Sequence, residues 1–415
     1  MRPPEVVVVG GGAAGFFAAI ACAETAPGTA VRLLEKGPRF LAKVRISGGG
    51  RCNVTHACFE PAALSAHYPR GGQSLIGPFQ VFQPRDTIEW FESRGVKLKT
   101  EADGRMFPST DLSQTIIDCL MESATRAGVD LVTNQGLTAV TRRSGGGFEM
   151  TLQNGEMVTC ERLLLATGGC RAPAAGQIAV SLGHTLEPPV PSLFTFHVAA
   201  AWVRALVGIS VADVEISVAT ARLRERGAVL LTHAGLSGPA VLRLSAWGAR
   251  SLHELKYEFP LRVNWLPSFD EAGLVREFDA QRRRQPARFV VNSALLSGQR
   301  EAPSLAGRLW EALVLEAGIA RDTRWAELSH SARHRLLQRL SRTELQVSGK
   351  TLNQDEFVTC GGVRLSEVNF KTMESRACPG LYLAGELLDI DGLTGGFNFQ
   401  SAWTTGWIAG RAMAR

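Results

Sequence analysis

The earliest pattern in the chain that is able to do chemistry is a run of glycines directly after a short apolar segment. Gly10, Gly12 and Gly15 have the G-x-G-x-x-G spacing, with Ala14 between the second and the third. In such a turn the first glycine permits a tight bend, the second lets a phosphate approach the backbone, and the third lets a helix pack on a strand. Free N–H groups at the start of that helix favour an anion. We therefore predict that these residues hold a pyrophosphate.

An acidic residue follows at the distance that suits a bound ribose. Glu35 comes twenty residues after Gly15, at the end of a second apolar run, and Lys36 is next to it. A carboxylate at this point accepts hydrogen bonds from ribose hydroxyls, and its negative charge disfavours a 2′-phosphate. We assign Glu35 and Lys36 to the adenosine end of a dinucleotide.

A second glycine-rich segment, S-G-G-G-R-C-N, covers residues 47–53. Three consecutive glycines permit very close approach by a planar or anionic ligand. Arg51 adds a planar cation and Asn53 both donates and accepts hydrogen bonds, so both are also predicted as catalytic residues. A surface loop is the alternative, but contact with a planar cofactor such as a flavin is favoured. The residues assigned to this contact are Lys43, Ser47, Gly48, Gly49, Gly50, Arg51, Cys52 and Asn53.

Two further glycine turns follow apolar strands later in the chain. The second of them leads into a helix predicted over 398–413. In glutathione-reductase-like flavoproteins such a helix points its N-terminus at the flavin N1–C2=O edge, where it stabilises the anion that forms on reduction. The cofactor residues predicted from these turns are Ala166, Thr167, Gly168, Gly169, Gly385, Glu386, Asp389, Gly395, Gly396, Phe397 and Asn398.

These blocks resemble the NAD(P)/FAD-dependent oxidoreductases of the aminoacetone-oxidase-like type, a family that also includes a bile-acid dehydro-steroid reductase. The resemblance covers essentially the whole chain, and its most specific motifs are S-G-G-G-R-C-N and the T-G-G-F-N-F-Q of residues 394–400. It implies bound FAD, a split Rossmann-like domain and an inserted domain. Residues 170–176 depart from the T-G-[SD]-G-like stretch usual in this family, so the resemblance assigns no cofactor contact to them.

The elements that must position these residues follow from hydrophobic periodicity. A strand, a helix and a strand over 5–9, 13–25 and 30–34 form one parallel βαβ unit. A helix over 112–126 has Thr110 or Asp111 as its predicted N-cap, and a strand over 129–132 follows it. Strands over 137–142, 148–152 and 156–160 form a meander that leads into a strand over 163–166. The predicted fold class is α/β, with a Rossmann-like FAD-binding domain of the two-dinucleotide-binding flavoprotein type.

The pattern of predicted secondary structure changes after the prolines at 188, 189 and 191. Residues 192–265 are predicted as mostly β-strands, and helices are predicted over 270–283, 304–317 and 326–340. We expect the FAD-binding domain to comprise 1–189 and 351–415. The inserted substrate-side domain then covers 190–350, with a β-rich part at 190–268 and a helical part at 269–345.

The charge and the cysteine content of the sequence limit the kinds of partner and the location that we expect. The net charge of +6 suits an anionic cofactor or substrate and weakly permits RNA. The densest basic run, Arg282–Arg284 with Arg288, is more typical of a solvated helix face than of a nucleic-acid site, so nucleic acid is not an expected partner. Eight cysteines without a C-x-x-C pair suit a reducing cytoplasm. No signal peptide, membrane span or metal site is predicted, and the oligomeric state is left open.

FAD exchanges a hydride with a substrate carbon. The predicted function is hydride transfer between FAD and a small organic substrate, an amine or an enone, with NADH, NADPH or oxygen as the second substrate. His233, in the inserted domain, is the predicted catalytic residue on the substrate side, although a structural histidine is an equal alternative. A flavin-dependent RNA-modifying or redox-sensing protein is a second hypothesis. A dithiol–disulfide reductase is disfavoured because Cys52 and Cys58 have five residues between them instead of four.

Overall fold

The computed structural model describes residues 5–170, 173–293, 305–351 and 358–415. The chain divides into two units, one formed by Met1–Ser192 with Gln354–Arg415 and the other by Leu193–Asn353. These boundaries lie three residues beyond the predicted ones at 189 and 350.

The described strands and helices are as follows. The strands are β1 (Val6–Val9), β2 (Val31–Leu34), β3 (Thr55–His56), β4 (Leu98–Thr100), β5 (Arg105–Pro108), β6 (Asp130–Val132), β7 (Leu137–Arg142), β8 (Phe148–Leu152), β9 (Met157–Cys160), β10 (Arg162–Leu165), β11 (Leu186–Ser192), β12 (Thr195–Val198), β13 (Ser210–Val218), β14 (Leu223–Thr232), β15 (Gly235–Ser237), β16 (Glu258–Asn264), β17 (Thr343–Thr351), β18 (Val358–Val363), β19 (Val368–Asn369), β20 (Glu374–Ser375) and β21 (Leu381–Leu383). The helices are α1 (Ala13–Thr25), α2 (Ala42–Gly50), α3 (Pro61–Ser65), α4 (Gly72–Val81), α5 (Pro84–Glu92), α6 (Ser113–Arg126), α7 (Pro173–Ser181), α8 (Ala201–Arg204), α9 (Pro239–Trp247), α10 (Ala249–Glu254), α11 (Glu271–Arg284), α12 (Gly307–Glu316), α13 (His330–Ser341) and α14 (Phe397–Met413).

The first unit is built on a seven-stranded sheet in the order β19-β20-β21-β10-β1-β2-β6. The strands from β21 to β6 are parallel to one another, and β20 pairs antiparallel with both β21 and β19. All four valines of β1 are buried, which is typical of a parallel strand that is covered on both faces. Because β1, α1 and β2 form the predicted βαβ unit, the Rossmann-like fold class is confirmed.

The last helix of the chain packs on the first. Cβ atoms added at Gly406 and Gly410 of α14 would lie 2.3 Å from the carbonyl oxygens of Ala14 and Ala18 in α1. Contacts of that length are sterically forbidden, so only glycine permits the two helices to approach so closely. This packing brings the C-terminal motif to the N-terminal glycine turn. In the described part of the chain, no helix combines the length and apolarity that a membrane crossing requires.

The predicted meander is confirmed, since β7, β8 and β9 pair antiparallel and β9 leads into β10. The predicted N-cap of α6 is wrong. The cap position is Leu112, which makes no side-chain hydrogen bond. The carboxylate of Asp111 instead pairs with Lys99, and the Thr110 hydroxyl bonds to that of Thr115 at 2.6 Å. Both side chains thus have other partners.

The second unit contains a closed six-stranded barrel in the order β12-β15-β14-β13-β16-β17. The helices α9 and α10 lie within the span that the sequence predicted as mostly strands, because the apolar stripe of Ala240, Val241 and Leu244 packs into the core. The three predicted later helices correspond to α11, α12 and α13. α13 begins at His330, later than predicted, because the Ser329 hydroxyl caps it. The first residue predicted for α12, at position 304, lies outside the described residues.

Candidate cofactor site

The three fingerprint glycines have different neighbours in the structure. A Cβ atom on Gly10 would lie 2.2 Å from the Ala166 carbonyl oxygen, and one on Gly15 would lie 1.9 Å from the Gly10 carbonyl oxygen. Packing alone therefore requires these two glycines. A Cβ atom on Gly12 would meet no protein atom within 4 Å. The backbone at Gly12 thus faces open space, as a phosphate-binding position requires.

Gly12 is also the N-cap of α1, and the first turn of this helix has neither a capping side chain nor an acidic residue. Its N–H groups therefore keep the positive partial charge of a helix N-terminus. Glu35 lies beside the turn, where its carboxylate accepts hydrogen bonds from the N–H groups of Gly11 (2.9 Å) and Gly37 (2.8 Å). These bonds hold the glycine turn in place and leave lone pairs on Glu35 for ribose hydroxyls.

The glycines after Ser47 form a left-handed end to α2. Ser47 leaves helical geometry with ψ of 147°, and Gly48, Gly49 and Gly50 have φ values from 58° to 86°. Such φ values favour glycine. Cβ atoms on Gly49 and Gly50 would meet nothing within 4 Å. The segment therefore presents bare backbone to open space.

Arg51 and Cys52 make their contacts with the protein itself. The Arg51 guanidinium donates to Glu101 at 2.6 Å and stacks over the ring of Phe107, with Cζ 4.0 Å from the ring centroid. The bond to Glu101 raises the pKa of Arg51. Burial raises the pKa of the Cys52 thiol to about 12. Both side chains thus support the glycine segment, and their assignment to cofactor contact stays a prediction.

Asn53 connects this segment to the C-terminal turn. In the amide orientation that satisfies both ends, its Nδ2 donates to the Thr55 carbonyl oxygen (3.1 Å) and its Oδ1 accepts from the Gly396 N–H (3.0 Å). Gly396 is the N-cap of α14, so Asn53 fixes the start of that helix. Asn398 closes the same turn through two hydrogen bonds of 2.8 Å to the N–H and carbonyl of Gly392.

Phe397, the first residue of α14, stacks against two histidines that the sequence prediction missed, and these two rings are themselves 6.0 Å apart. Its ring centroid is 4.3 Å from that of His67 and 4.7 Å from that of His56, and the planes are nearly parallel. Nε2 of His56 lies 3.1 Å from the Asp103 carbonyl oxygen, whereas its Nδ1 is buried without a hydrogen-bond partner. Burial lowers the pKa of both imidazoles. No spacing rule relates these positions, so the sequence carried no signal for them.

Gly385 and Glu386, in the C-terminal motif, lie next to Lys43 and to residues of the first and third glycine motifs. The Glu386 carboxylate accepts a hydrogen bond from Lys43 of α2. A Cβ atom on Gly169 would lie 3.1 Å from Glu386 Oε1, and one on Gly385 would lie 2.9 Å from Cβ of Ala14. The four glycine motifs, which lie at 10–15, 47–53, 166–169 and 385–398 in the sequence, are therefore one contiguous structure.

The turn after β10 contributes an unsatisfied polar group. The Thr167 hydroxyl is buried and has no hydrogen-bond partner, and a Cβ atom on Gly168 would meet nothing within 4 Å. Asp389 has a supporting position, since its Oδ1 accepts from the Gly361 N–H at 3.0 Å.

Two predicted residues lie outside this network. His233 is an exposed residue in the turn between β14 and β15 of the second unit, and Lys36 is exposed just after β2. Their assigned roles stay predictions. Within the divergent stretch 170–176, residues 171 and 172 lie outside the described residues, and the Cys170 thiol is buried.

The residues present fit an adenine dinucleotide. The uncapped N-terminus of α1 suits the charge of a diphosphate, and the backbone at Gly12, Gly49 and Gly50 faces open space. Two buried polar atoms, Thr167 Oγ1 and His56 Nδ1, have no protein partner. Buried polar groups in proteins are nearly always satisfied, so both atoms are open to a hydrogen bond from a bound ligand or an ordered water.

Comparison with known sequences points to one family. The HI0933-like protein Rossmann domain family matches residues 4–412. The chain is 31% identical over 412 residues to the ribosomal RNA dihydrouridine synthase of Escherichia coli (strain K12), covering 97% of this chain and 96% of that relative. It is 29% identical over 409 residues to the 3-dehydro-bile acid delta(4,6)-reductase of Clostridium scindens, covering 96% of each.

The fold is also found in a solved structure. The 3-ketosteroid-delta4-(5alpha)-dehydrogenase from Rhodococcus jostii RHA1 superposes with a TM-score of 0.53 at 16% identity, covering 100% of both chains. An identity this low shows the fold and no more. Because the family match spans nearly the whole sequence, the chain belongs to the HI0933-like Rossmann-domain family, and the predicted class of FAD-dependent oxidoreductase is confirmed.

Proposed function

We propose that this enzyme uses FAD to saturate a carbon–carbon double bond that is conjugated with a carbonyl group. The observation that supports the proposal most is that the four glycine motifs form one contiguous site. This site suits a dinucleotide flavin, whose chemistry is hydride transfer. The names of the two relatives describe this single chemistry, on a dehydro-bile acid in one case and on the uracil ring of uridine in the other. The proposal selects the enone from the two predicted substrate classes, enone and amine.

The four motifs take separate tasks in this proposal. Gly12 and the N-terminus of α1 hold the pyrophosphate, and Glu35 holds the adenosine ribose. The N-terminus of α14 favours negative charge on the reduced flavin, and Asn53 contributes by fixing the Gly396 N-cap. When bound, FAD supplies a hydride to the substrate and takes one from a reductant.

Saturation of the double bond needs a proton as well as a hydride. The hydride joins the β-carbon of the conjugated system, and the proton joins the α-carbon. We assign the proton to His56, since its ring lies at the α14 turn and its Nδ1 has no protein partner. Because Nδ1 is buried, this role requires that binding of the substrate exposes it. When Nε2–H donates to Asp103, only the imidazolium form carries a proton on Nδ1. The lowered pKa of His56 makes its imidazolium a stronger acid but a minor form at neutral pH, so this step should become faster as the pH falls.

The reductant in this proposal is NADH or NADPH, bound transiently. The sequence has no second G-x-G-x-x-G after a strand to seat a nicotinamide nucleotide permanently. The eight cysteines include no C-x-x-C pair, which supports a location in a reducing cytoplasm. Oxygen as the acceptor belongs to the alternative of amine oxidation.

The test is an anaerobic two-step reaction. The purified enzyme is reduced with NADH and, separately, with NADPH, and is then mixed with cyclohexenone or a 4-en-3-one steroid. We expect reoxidation of the flavin and a product that has gained two hydrogens by mass spectrometry. His56→Gln should slow reoxidation and alter its pH profile, whereas His334→Gln, at an exposed position of α13, is the matched control. Reduction of the oxidised flavin by amines, without reoxidation by any enone, contradicts the proposal.

The dithiol–disulfide alternative conflicts with the state of Cys52. Its thiol is fully buried and its pKa is raised to about 12, so almost no thiolate forms at neutral pH. Cys52 and Cys58 are both free. The structure thus offers no reactive pair at these positions.

A second candidate is the same reduction on a uracil base within RNA. The distribution of charge favours it. Residues 193–353 contain 22 Lys and Arg against 15 Asp and Glu, a net charge of +7, whereas the rest of the chain has 23 against 24. The positive charge is therefore concentrated outside the unit that holds the anionic cofactor, as expected for a polyanionic partner.

A further inference from the structure

We propose that five arginines and one phenylalanine in the second unit form a binding surface for single-stranded RNA. This arginine patch consists of Arg282, Arg283, Arg284, Arg288, Phe289 and Arg324. The inference concerns binding alone and is independent of turnover, although it bears on the second candidate function.

The patch lies in the most basic part of the chain. Residues 271–342 contain 13 arginines, no lysine and eight acidic residues, so they carry +5 of the net charge of +6. A solvated helix face has no need to exclude lysine. Arginine differs from lysine in binding phosphate in a bidentate manner and in stacking on aromatic planes. The exclusive use of arginine thus favours a nucleic-acid partner.

The fold assembles the patch from two separate segments. Arg282–Arg284 form the last turn of α11, and the chain after it pairs with the segment that contains Arg324. The backbone of Phe289 bridges to that of Arg324, and the Trp325 N–H donates to the Arg288 carbonyl oxygen at 3.1 Å. The Trp325 side chain is buried beneath this pairing. The patch is therefore formed by two segments whose backbones are hydrogen-bonded to each other, and the basic run alone does not reveal Phe289 and Arg324 as part of it.

The guanidiniums of Arg282 and Arg288 in the patch are held by carbonyl oxygens and not by ion pairs, and the nearby Glu327 carboxylate accepts from the backbone N–H of Arg324 at 3.3 Å. Arg282 donates to the carbonyl oxygen of Ala326 (2.9 Å), and Arg288 donates to that of Asn292 (3.0 Å). In the described part of the chain, no carboxylate forms an ion pair with any of the five guanidiniums. By contrast, Arg226 of the barrel is held by a carboxylate at 2.7 Å. Carbonyl partners orient a guanidinium and leave its charge and remaining N–H groups for phosphates.

Phe289 distinguishes this surface from a simple basic helix end. Its side chain is 37% exposed, and Arg324 Cζ lies 5.9 Å from its ring centroid. Arginines at a helix C-terminus compensate the helix dipole, which accounts for Arg282–Arg284 but not for an exposed aromatic ring beside them. A ring among guanidiniums suits a base that stacks while its phosphates are bound. Single strands present such base faces, whereas duplexes hide them.

The experiment measures binding of a labelled mixed-sequence single-stranded RNA to the full-length holoenzyme by fluorescence polarisation over a series of salt concentrations. Arg283→Ala with Arg284→Ala should weaken binding at least tenfold. It should also lower the slope of log K against log salt by about 1.4, since each phosphate contact contributes about 0.7. Phe289→Ala should weaken binding roughly fivefold or more without changing the slope. The matched control is Arg224→Ala with Arg262→Ala, exposed arginines of the barrel, which should leave binding unchanged.

Three results overturn the proposal: no salt-dependent RNA binding, wild-type binding by the Arg283/Arg284 double variant, or binding to phosphatidylserine-containing vesicles in place of RNA. Thermal unfolding of each variant identifies any loss caused by misfolding. Cyclohexenone reduction is measured on the same preparations. If the protein binds RNA but does not reduce cyclohexenone, the proposed function is wrong and the RNA-binding surface stands. If it reduces cyclohexenone but does not bind RNA, only the RNA-binding surface is wrong.

Discussion

The substitution Gly12→Val should weaken FAD binding strongly while the protein still folds. Gly12 has φ −95° and ψ −168°, a conformation open to any residue, and a Cβ atom there meets no protein atom within 4 Å. Valine is a poorer N-cap residue than glycine, so we expect Gly12→Val to change the free energy of unfolding of the apoprotein by no more than about 1 kcal/mol.

The same side chain occupies the space in front of the α1 N-terminus. Loss of two N–H···phosphate hydrogen bonds, each contributing about 1.5–3 kcal/mol, corresponds to at least a hundredfold weaker FAD binding. The assay combines the FAD-to-protein ratio after purification, calorimetric titration of the apoprotein with FAD, and thermal unfolding without FAD.

Two variants serve as controls for this prediction. Gly145→Val adds the same atoms in an exposed hairpin turn, where a Cβ atom also meets nothing within 4 Å, and should leave both quantities unchanged. Gly15→Val should unfold the protein, because its Cβ atom would lie 1.9 Å from a carbonyl oxygen. Full FAD occupancy in Gly12→Val, or an apoprotein that does not fold, refutes the reasoning.

Three other predictions follow from the same contacts. Gly406→Val should destabilise the protein by about 1–3 kcal/mol or more in denaturant titration, since α14 must move away from α1; unchanged stability contradicts the close helix packing. Cys52→Ala should retain FAD and its reduction by NADH or NADPH, because the buried thiol stays protonated, and a complete loss of reduction supports dithiol chemistry instead. His56 has a pKa below its unfolded value, so its protonation favours the unfolded chain, and stability should fall as the pH decreases through about 6.5. His56→Gln should reduce that fall, and an unaltered pH profile of unfolding argues against a buried neutral imidazole.

Local sequence patterns predicted the parts of the site that depend on local physics. The turn at Gly10–Gly15 and the helix after it follow from the steric freedom of glycine and from a short apolar strand. The same holds for the left-handed glycines after Ser47. Each of these features is determined by neighbouring residues, so a single sequence is sufficient to predict it.

Contacts between residues that lie far apart in the sequence could not be predicted from local patterns. Lys43 pairs with Glu386 across 343 positions, and the partners of Arg51 and His56 come from the β4–β5 region. Asp111 was a plausible N-cap by type, but the ion pair with Lys99 determines where its carboxylate lies. The arginine patch likewise needs Arg324, which lies far in sequence from Arg288.

The central claim is that glycines near both ends of the chain build one site for FAD. The most direct measurement is the identity and amount of flavin released on denaturing gently purified wild-type protein. We expect one FAD per chain. A colourless protein that takes up no FAD on addition, or one that holds FMN, which lacks the adenosine that Glu35 is placed to bind, contradicts it.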